Sequence, residues 1–253
     1  MQGFGSSGFD SIPPVVKNLL IINGLFFIGT YSVGASMNID LSKYLGLYYF
    51  QSDSFQPFQI FTYMFMHGGL SHIAFNMFAL WMFGRVLETY WGPKKFLIYY
   101  LATGIGAAII QQMVHFIEAE MVLTHLTSNG ISMETINQLM ATGQYDTDWL
   151  SFISLDQLRS LFATYSTPTV GASGAVFGLL LAFGMSFPNT ELYMMFIPVP
   201  IKAKYFVAGY GALELYSGFQ NNPGDNVAHF AHLGGMLFGY ILIRYWRANP
   251  SKF

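Results

Sequence analysis

The amino-acid sequence predicts an all-α membrane protein, because the composition is apolar and the chain contains six apolar runs of spanning length. Of its 253 residues, 53% are hydrophobic and 18% aromatic, and only 9% are charged. Soluble domains carry about 25% charged residues, so this composition favours contact with lipid. A net charge of −2 argues against a nucleic-acid partner. The absence of cysteine excludes disulfides and thiolate metal sites.

A helix needs about 20 predominantly apolar residues to cross a bilayer. Six segments meet this requirement, at residues 18–37, 69–89, 95–117, 169–187, 193–215 and 226–246. Together they predict one membrane domain over residues 1–253. We expect the first span to be retained, because residues 1–14 lack the arginines of a transit peptide. The polar stretch 118–167 is predicted to be an insertion, with helical patterns near 132–140 and 154–162.

The positive charges predict how the six spans are oriented, because cytoplasmic loops carry an excess of Lys and Arg. Two of the eleven positive residues, Lys43 and Arg159, fall on one side of a six-span arrangement. The other nine fall on the opposite side: Lys17, Arg85, Lys94, Lys95, Lys202, Lys204, Arg244, Arg247 and Lys252. Both termini are therefore predicted to be cytoplasmic, and the insertion external. The second, fourth and sixth spans then begin at the outer face, and the polar residues near their starts share a depth of about 5–12 Å.

The fourth span opens with Gly171-Ala172-Ser173-Gly174, which places a candidate nucleophile at a helix N-terminus. The first N–H groups of a helix have no intrahelical partner and lie at the positive end of its dipole. Such groups can stabilise an oxyanion, so the motif indicates acyl-transfer chemistry. The alternative is helix packing, because Gly174 and Gly178 form a small-residue pair.

The sixth span supplies a candidate base, His232. This span carries small residues at every fourth position: Ala231, Gly235 and Gly239. Two small-residue stripes would let the fourth and sixth spans approach closely, so that His232 could activate Ser173. His229 shares this helix face, but His232 lies deeper and is preferred. The alternative is a buried histidine satisfied by a backbone carbonyl.

No Asp or Glu is expected beside these residues inside a span, since Glu214 falls at the outer end of the fifth segment and Glu88 at the inner end of the second. We therefore predict a Ser–His dyad rather than a triad. Phe177, four residues after Ser173, is well placed to stack on the imidazole and orient it.

The second span begins with two polar residues that suit the stabilisation of an oxyanion. His72 and Asn76 are four residues apart, hence on one helix face, and both can donate a hydrogen bond in the same direction. His67 points elsewhere and is predicted to tie the preceding loop to the helix. The alternative is a polar clamp between helices.

With these residues in place, the chain resembles the rhomboid intramembrane serine proteases over essentially its whole length. The resemblance rests on His67, His72 and Asn76 in the second span, on Gly-Ala-Ser173-Gly and on Ala-His232-Leu-Gly-Gly. It implies a Ser173–His232 dyad and an oxyanion hole formed by His72, Asn76 and the Ser173 backbone N–H. It also implies cleavage of transmembrane helices near their outer ends, with no cofactor and no metal.

The resemblance further implies a six-helix rhomboid-like bundle with a membrane-embedded first loop at about 38–61. Aromatic residues in this loop suit an interfacial position: Tyr44, Tyr48, Tyr49, Phe50, Phe55 and Phe58. The segment Ser217–Asn226 would cap the site, and the fifth span would be the gate. The implied partners are single-span membrane-protein substrates within the lipid bilayer. The oligomeric state cannot be inferred from the sequence.

The chain departs from the family pattern at three places. Many members carry Trp-Arg where this chain has Phe58-Gln59, and many carry Tyr at the position of Phe177. The insertion at 118–167 is longer than in minimal members. The first two differences raise the question of what anchors the first loop and what orients His232.

Three alternatives remain, of which the first is an inactive relative that binds transmembrane helices for quality control. A metalloprotease would use His67, His72, His229 and His232, but HExxH is absent and no carboxylate is expected at their depth. A transporter is disfavoured because no midplane charge pathway is evident.

The short tails predict a bacterial cell membrane.

Overall fold

The computed structural model describes residues 12–194, 197–220 and 227–249. These residues are mostly helical and include one two-stranded antiparallel ribbon. The helices are α1 (Pro14–Met37), α2 (Leu41–Leu45), α3 (Gln59–Thr62), α4 (Leu70–Ala79), α5 (Arg85–Trp91), α6 (Pro93–Ser128), α7 (Met133–Thr142), α8 (Leu155–Ser166), α9 (Ser173–Ser186), α10 (Ala203–Gln220) and α11 (His229–Ala248). Strands β1 (Glu191–Met194) and β2 (Ile197–Lys202) form the ribbon. Short 3-10 turns occupy Tyr63–Phe65 and Thr147–Ser151, and a π-helical turn at Leu80–Gly84 joins α4 to α5.

Within the described ranges, three helices are long and apolar enough to cross a membrane. They are Pro14–Met37, the continuous helix Leu70–Trp91 and Pro93–Ser128. The apolar helix α9 has only 14 residues. Helices α10 and α11 have 18 and 20 residues, but their polar side chains lower the mean hydropathy. Three of the six predicted spans therefore meet the requirement in both length and apolarity.

The predicted boundaries are wrong at two places. The fifth segment, expected to be helical from residue 193, instead begins in the β1–β2 ribbon, in which Glu191 pairs with Lys202. Pro198 and Pro200 lack the backbone N–H that a helix interior requires, so α10 starts only at Ala203. The all-α prediction fails for this ribbon. The third segment, in contrast, continues as α6 to Ser128, eleven residues beyond its predicted end.

The insertion folds as a small helical unit around the end of α6. Its two helical patterns form α7 and α8, and Ser154 and Gln157 make the capping box that their spacing predicts. This unit has an apolar cluster separate from the main core, with Ala119, Val122, Leu123, Leu126, Ile136, Leu139, Trp149, Ile153, Leu158 and Leu161 buried alongside Tyr49 of the first loop. The insertion is therefore packed onto the first loop.

The first loop is anchored by a buried glutamine. The Gln59 carboxamide oxygen accepts hydrogen bonds from the backbone N–H groups of Tyr48 and Gln56, at 3.3 and 3.1 Å. Its nitrogen donates to the carbonyls of Tyr44 and Ser54, at 3.2 and 3.1 Å. One neutral side chain thus fixes four backbone groups of the loop. The first loop is therefore anchored, although this chain has Phe58-Gln59 where many family members carry Trp-Arg.

Helix α9 packs against α6, α10 and α11, and small residues set its closest approaches. A Cβ added at Gly235 would collide with the carbonyl oxygen of Gly174, so α9 and α11 are in backbone contact there. Gly178 and Gly239 instead face α6, where Thr103 contacts both positions. The two stripes therefore pack α9 and α11 against each other and against α6, and this packing fixes the relative position of their N-termini.

Candidate active site

The structure brings Ser173 and His232 together at the N-termini of α9 and α11. Ser173 Oγ lies 2.8 Å from His232 Nε2, within hydrogen-bond distance. His232 is buried, with 7% of its surface exposed. The pair is 59 residues apart in the chain and meets because α9 and α11 touch at Gly174 and Gly235.

Gly171 shapes the turn that leads into Ser173. Its φ of +136° lies in a region that L-residues with side chains rarely adopt. A Cβ at this position would also lie only 2.8 Å from His72 Nε2. Its backbone N–H donates to the carbonyl of Tyr63 at 3.0 Å. A glycine is therefore required here both by the backbone conformation and by the space beside His72.

Phe177 stacks on the His232 ring. Their ring centroids are 4.1 Å apart and the two planes are inclined by only 9°. Phe177 lies one helical turn after Ser173 on α9, so the helix that supplies the serine also fixes the plane of the imidazole. Phenylalanine provides the same ring face as tyrosine for this contact.

A carboxylate also contacts His232, contrary to the prediction from the sequence. Glu214 Oε2 lies 2.8 Å from His232 Nδ1 and 2.7 Å from His229 Nδ1. The prediction failed because it treated the outer end of the fifth segment as outside the site. Glu214 lies in the last two turns of α10, and the two histidines lie in the first turn of α11, so these ends of consecutive helices meet. The sequence contains a signal for this contact, because both the site and Glu214 are predicted to lie near the outer face.

The contacts of Glu214 define the protonation pattern of His232. An ionised carboxylate can only accept hydrogen bonds, so each Nδ1 beside it carries the proton. His232 Nε2 then presents its lone pair to the Ser173 hydroxyl. In this tautomer His232 can accept a proton from the serine.

His72 and Asn76 line the same cavity as Ser173 and His232. The Gly68 N–H donates to His72 Nδ1 at 3.3 Å, which leaves the proton of the neutral ring on Nε2, beside Gly171. Asn76 Nδ2 donates one hydrogen to the His72 carbonyl at 2.9 Å and retains a second. Both side chains can therefore direct an N–H toward a group bound beside Ser173.

His67 supports His72 through a ring contact. The two centroids are 5.1 Å apart at an interplanar angle of 69°. His67 is buried, with only 3% of its surface exposed. His67, in the loop that precedes α4, thus packs on His72 in the first turn of that helix.

The site opens into a cavity of about 1610 Å³. Its wall includes His72, Asn76, Ser173, Glu214 and His232. On the far side it reaches the insertion at α8 and the C-terminal half of α6. The cavity has the volume to receive several residues of an unwound polypeptide. The segment Ser217–Asn226, predicted to cap the site, is helical in its first part, because Ser217–Gln220 belong to α10. Residues 221–226 lie outside the described residues.

Comparison with known proteins identifies the family. The rhomboid domain family model matches residues 54–142 and 147–249. The chain belongs to the rhomboid family. With its apolar helices of spanning length, this rhomboid protein is an integral membrane protein.

Three relatives illustrate the similarity of this rhomboid chain to known proteins. It is 30% identical over 178 residues to RHOMBOID-like protein 12, mitochondrial, from Arabidopsis thaliana, covering 70% of the chain and 42% of the relative. It is 25% identical to human presenilin-associated rhomboid-like protein, mitochondrial (72% and 36% covered), and 25% identical to rhomboid protease GluP of Bacillus subtilis (72% and 24%). The chain thus spans less than half the length of each. Because two of the three are mitochondrial, the predicted bacterial cell membrane is not supported.

Proposed function

We propose that this rhomboid protein is a serine endopeptidase that hydrolyses a peptide bond in or near the outer end of a transmembrane helix. The observation that carries the proposal is the 2.8 Å contact between Ser173 Oγ and His232 Nε2 beside a large cavity. A nucleophile and a base within hydrogen-bond reach are the minimum for acyl transfer by serine.

The proposed reaction has two steps. In acylation, His232 Nε2 accepts the serine proton while Ser173 Oγ attacks the scissile carbonyl carbon. His232 then donates that proton to the leaving amine, the C–N bond breaks, and the acyl group remains on Ser173 as an ester. In deacylation a water molecule gives a proton to His232 and attacks the ester, and the proton returns to Ser173 Oγ as the carboxylic acid leaves.

Three N–H groups are proposed to stabilise the oxyanion: the Ser173 backbone N–H, His72 Nε2–H and Asn76 Nδ2–H. The first belongs to the opening turn of α9, whose N–H groups have no partner within the helix. The other two side chains face the same cavity. Because an oxyanion exists only in the transition state and intermediates, these donors act on turnover rather than on binding.

We further propose that α9, α10 and α11 are the remaining three spans of a six-helix rhomboid bundle with cytoplasmic termini. The distribution of nine of the eleven positive residues supports this orientation. The site then lies near the outer face, where water reaches it. The substrates proposed are single-span membrane proteins in the bilayer, and no cofactor takes part.

The test is cleavage of a single-span membrane-protein substrate in detergent by the wild type, Ser173→Ala and His232→Ala. We expect the wild type to cut near one end of the span and both variants to lose at least about 10³-fold in rate. A wild type that binds several substrates without cutting any would contradict the proposal and support a helix-binding role. Cleavage by Ser173→Ala would contradict the serine mechanism.

The metal alternative regains one argument, because Glu214 joins His229 and His232 as a possible ligand group. Zinc ligands lie about 2.0–2.2 Å from the ion, so they are separated by roughly 3.3 Å or more. The oxygen–nitrogen distances of 2.7 and 2.8 Å here are those of hydrogen bonds. We expect cleavage to be insensitive to chelators. Activity that is lost on chelation and restored by zinc would contradict the serine mechanism.

A further inference from the structure

We propose that Glu214 is a positioning residue that extends the pair to a Ser173–His232–Glu214 triad, and that the site is complete only while α10 packs against α11. This inference rests on the proposed serine protease activity. It adds a residue that the motifs of the fourth and sixth spans do not contain, on a helix that carries neither the nucleophile nor the base.

The burial of Glu214 indicates a role beyond packing. Only 6% of the residue is exposed, and among the described residues its hydrogen-bond partners are His229 and His232. A buried carboxylate is costly unless it is paired and hydrogen-bonded. The charge of Glu214 is therefore held next to the imidazole that becomes an imidazolium when Ser173 gives up its proton.

The position of Glu214 explains what it contributes to the reaction. By accepting from Nδ1–H it holds the His232 tautomer whose Nε2 lone pair faces Ser173. Its negative charge also stabilises the imidazolium that forms during acylation. Both effects act on the reacting state, so they raise turnover and leave substrate affinity unchanged.

Helix α10 also supports the catalytic histidine indirectly, through Phe177. Tyr210, one turn before Glu214, packs on Phe177 with ring centroids 5.0 Å apart. Phe177 in turn stacks on His232. Glu214 thus contacts the Nδ1 edge of the His232 imidazole, and Tyr210 supports the Phe177 ring that stacks on its face. Displacement of α10 would remove both supports at once.

This arrangement links substrate entry to chemistry. The part of the cavity wall that belongs to α10 is formed by Phe206, Tyr210, Glu214, Ser217 and Gly218. A transmembrane helix that entered by displacing α10 would draw Glu214 away from His232. The histidine would then lack its carboxylate until α10 returned to α11 around the bound segment. The site would be inactive while open and active when closed.

The experiment compares Glu214→Gln and Glu214→Asp with a matched control, Glu88→Gln. Glu88 is also a buried glutamate that accepts two N–H groups, but it lies outside the cavity wall. For each full-length protein, kcat and KM are measured on a single-span substrate. The second-order rate at which a small fluorophosphonate labels Ser173 is measured as well. Labelling reports activation of the serine without requiring a helix to enter.

We expect Glu214→Gln to lower kcat and the labelling rate by about 10²-fold or more, with KM within about threefold of wild type. Glu214→Asp should recover part of the loss, because it restores the charge at a longer distance. Glu88→Gln should keep both rates. If Glu214→Gln retains wild-type rates, the triad is overturned while the protease assignment stands.

Other outcomes are equally decisive. A loss in Glu214→Gln that is confined to KM would assign Glu214 to substrate binding and overturn the positioning role. If Glu214→Gln does not fold, wild-type rates in a folded Glu214→Asp protein, despite the shorter side chain, would overturn it too. A wild-type protein that neither cleaves nor labels would overturn the protease assignment itself, whatever the Glu214 variants do.

Discussion

Glu88 in α5 and Glu214 in α10 are both buried glutamates, and each accepts two N–H hydrogen bonds. Glu88 accepts from the backbone N–H groups of Val15 and Val16, at 2.9 and 2.8 Å, in the first turn of α1. Glu214 accepts from two imidazoles. Backbone amides do not exchange their protons in catalysis, whereas an imidazole changes charge during proton transfer. The same side chain thus caps a helix in one region and faces a titratable pair in the other.

Burial and hydrogen bonding alone do not distinguish structural from functional carboxylates. The identity of the donors and their neighbours does. Glu88 satisfies two of the unpaired N–H groups that every helix has at its start. His232 beside Glu214 has a second nitrogen in contact with Ser173. A functional role is therefore expected for Glu214, because its partner His232 also contacts Ser173.

Among variants of the candidate active site outside the Ser173–His232 pair, loss of an oxyanion donor is expected to reduce turnover most strongly. We expect Asn76→Ala and His72→Ala each to lower kcat by about 10²–10³-fold, because a donor that acts on the oxyanion is lost. KM should change little. The measurement is kcat and KM on a single-span substrate, with Ser71→Ala, a cavity-wall residue on the same helix, as the control. Equal losses in kcat and in binding would contradict this role.

A second prediction tests the structural role of Glu88. We expect Glu88→Gln to lower the free energy of unfolding by about 1–3 kcal/mol, because Val15 and Val16 donate to different carboxylate oxygens and the amide replaces one of these acceptors with an NH2 group. Unfolding in mixed micelles measures this difference. The kcat of the folded protein should equal that of wild type. A large fall in kcat without loss of stability would remove the distinction between the two glutamates.

A third prediction tests whether α10 must move. A Cβ added at Gly211 on α10 would lie 3.2 Å from the Met236 methyl on α11, and the chain has no cysteine. A Gly211→Cys/Met236→Cys protein, joined by a short reducible cross-linker, should label normally with a fluorophosphonate. Its cleavage of helical substrates should fall by about tenfold or more, because the helix can no longer enter.

Reduction of the cross-link should restore cleavage, and each single cysteine variant treated with the cross-linker should remain active. Unchanged cleavage by the cross-linked protein would show that substrates reach Ser173 without displacement of α10 from α11.

The local motifs of the site could be predicted from the sequence, whereas the contacts between helix ends could not. Ser173 at the start of α9 follows from one short motif, and the small residues around Gly174 and Gly235 predict that α9 and α11 approach. The contact of Glu214 with His232 depends on how far α10 extends before the chain turns into α11. Hydropathy windows set such boundaries only to within several residues.

The β1–β2 ribbon differs from the predicted helix for a related reason. Residues 191–202 are apolar enough to join a spanning window, although Pro198 and Pro200 exclude a regular helix there. Average hydropathy does not register the loss of backbone donors. The anchoring of the first loop by Gln59 was likewise unpredictable, because its four partners are backbone groups brought together by the folded loop.

Replacement of His229, which shares one oxygen of Glu214 with His232, is expected to change turnover only slightly. In His229→Gln the amide N–H can still donate to Glu214, so the carboxylate keeps two partners and its contact with His232. We expect kcat to stay within about fivefold of wild type, because a change of this size corresponds to the alteration of a single hydrogen bond. Kinetics of His229→Gln and of Glu214→Gln on the same substrate provide the measurement. Equal losses in the two variants would mean that His229 takes part in proton transfer, and the imidazole pair would then act as one unit.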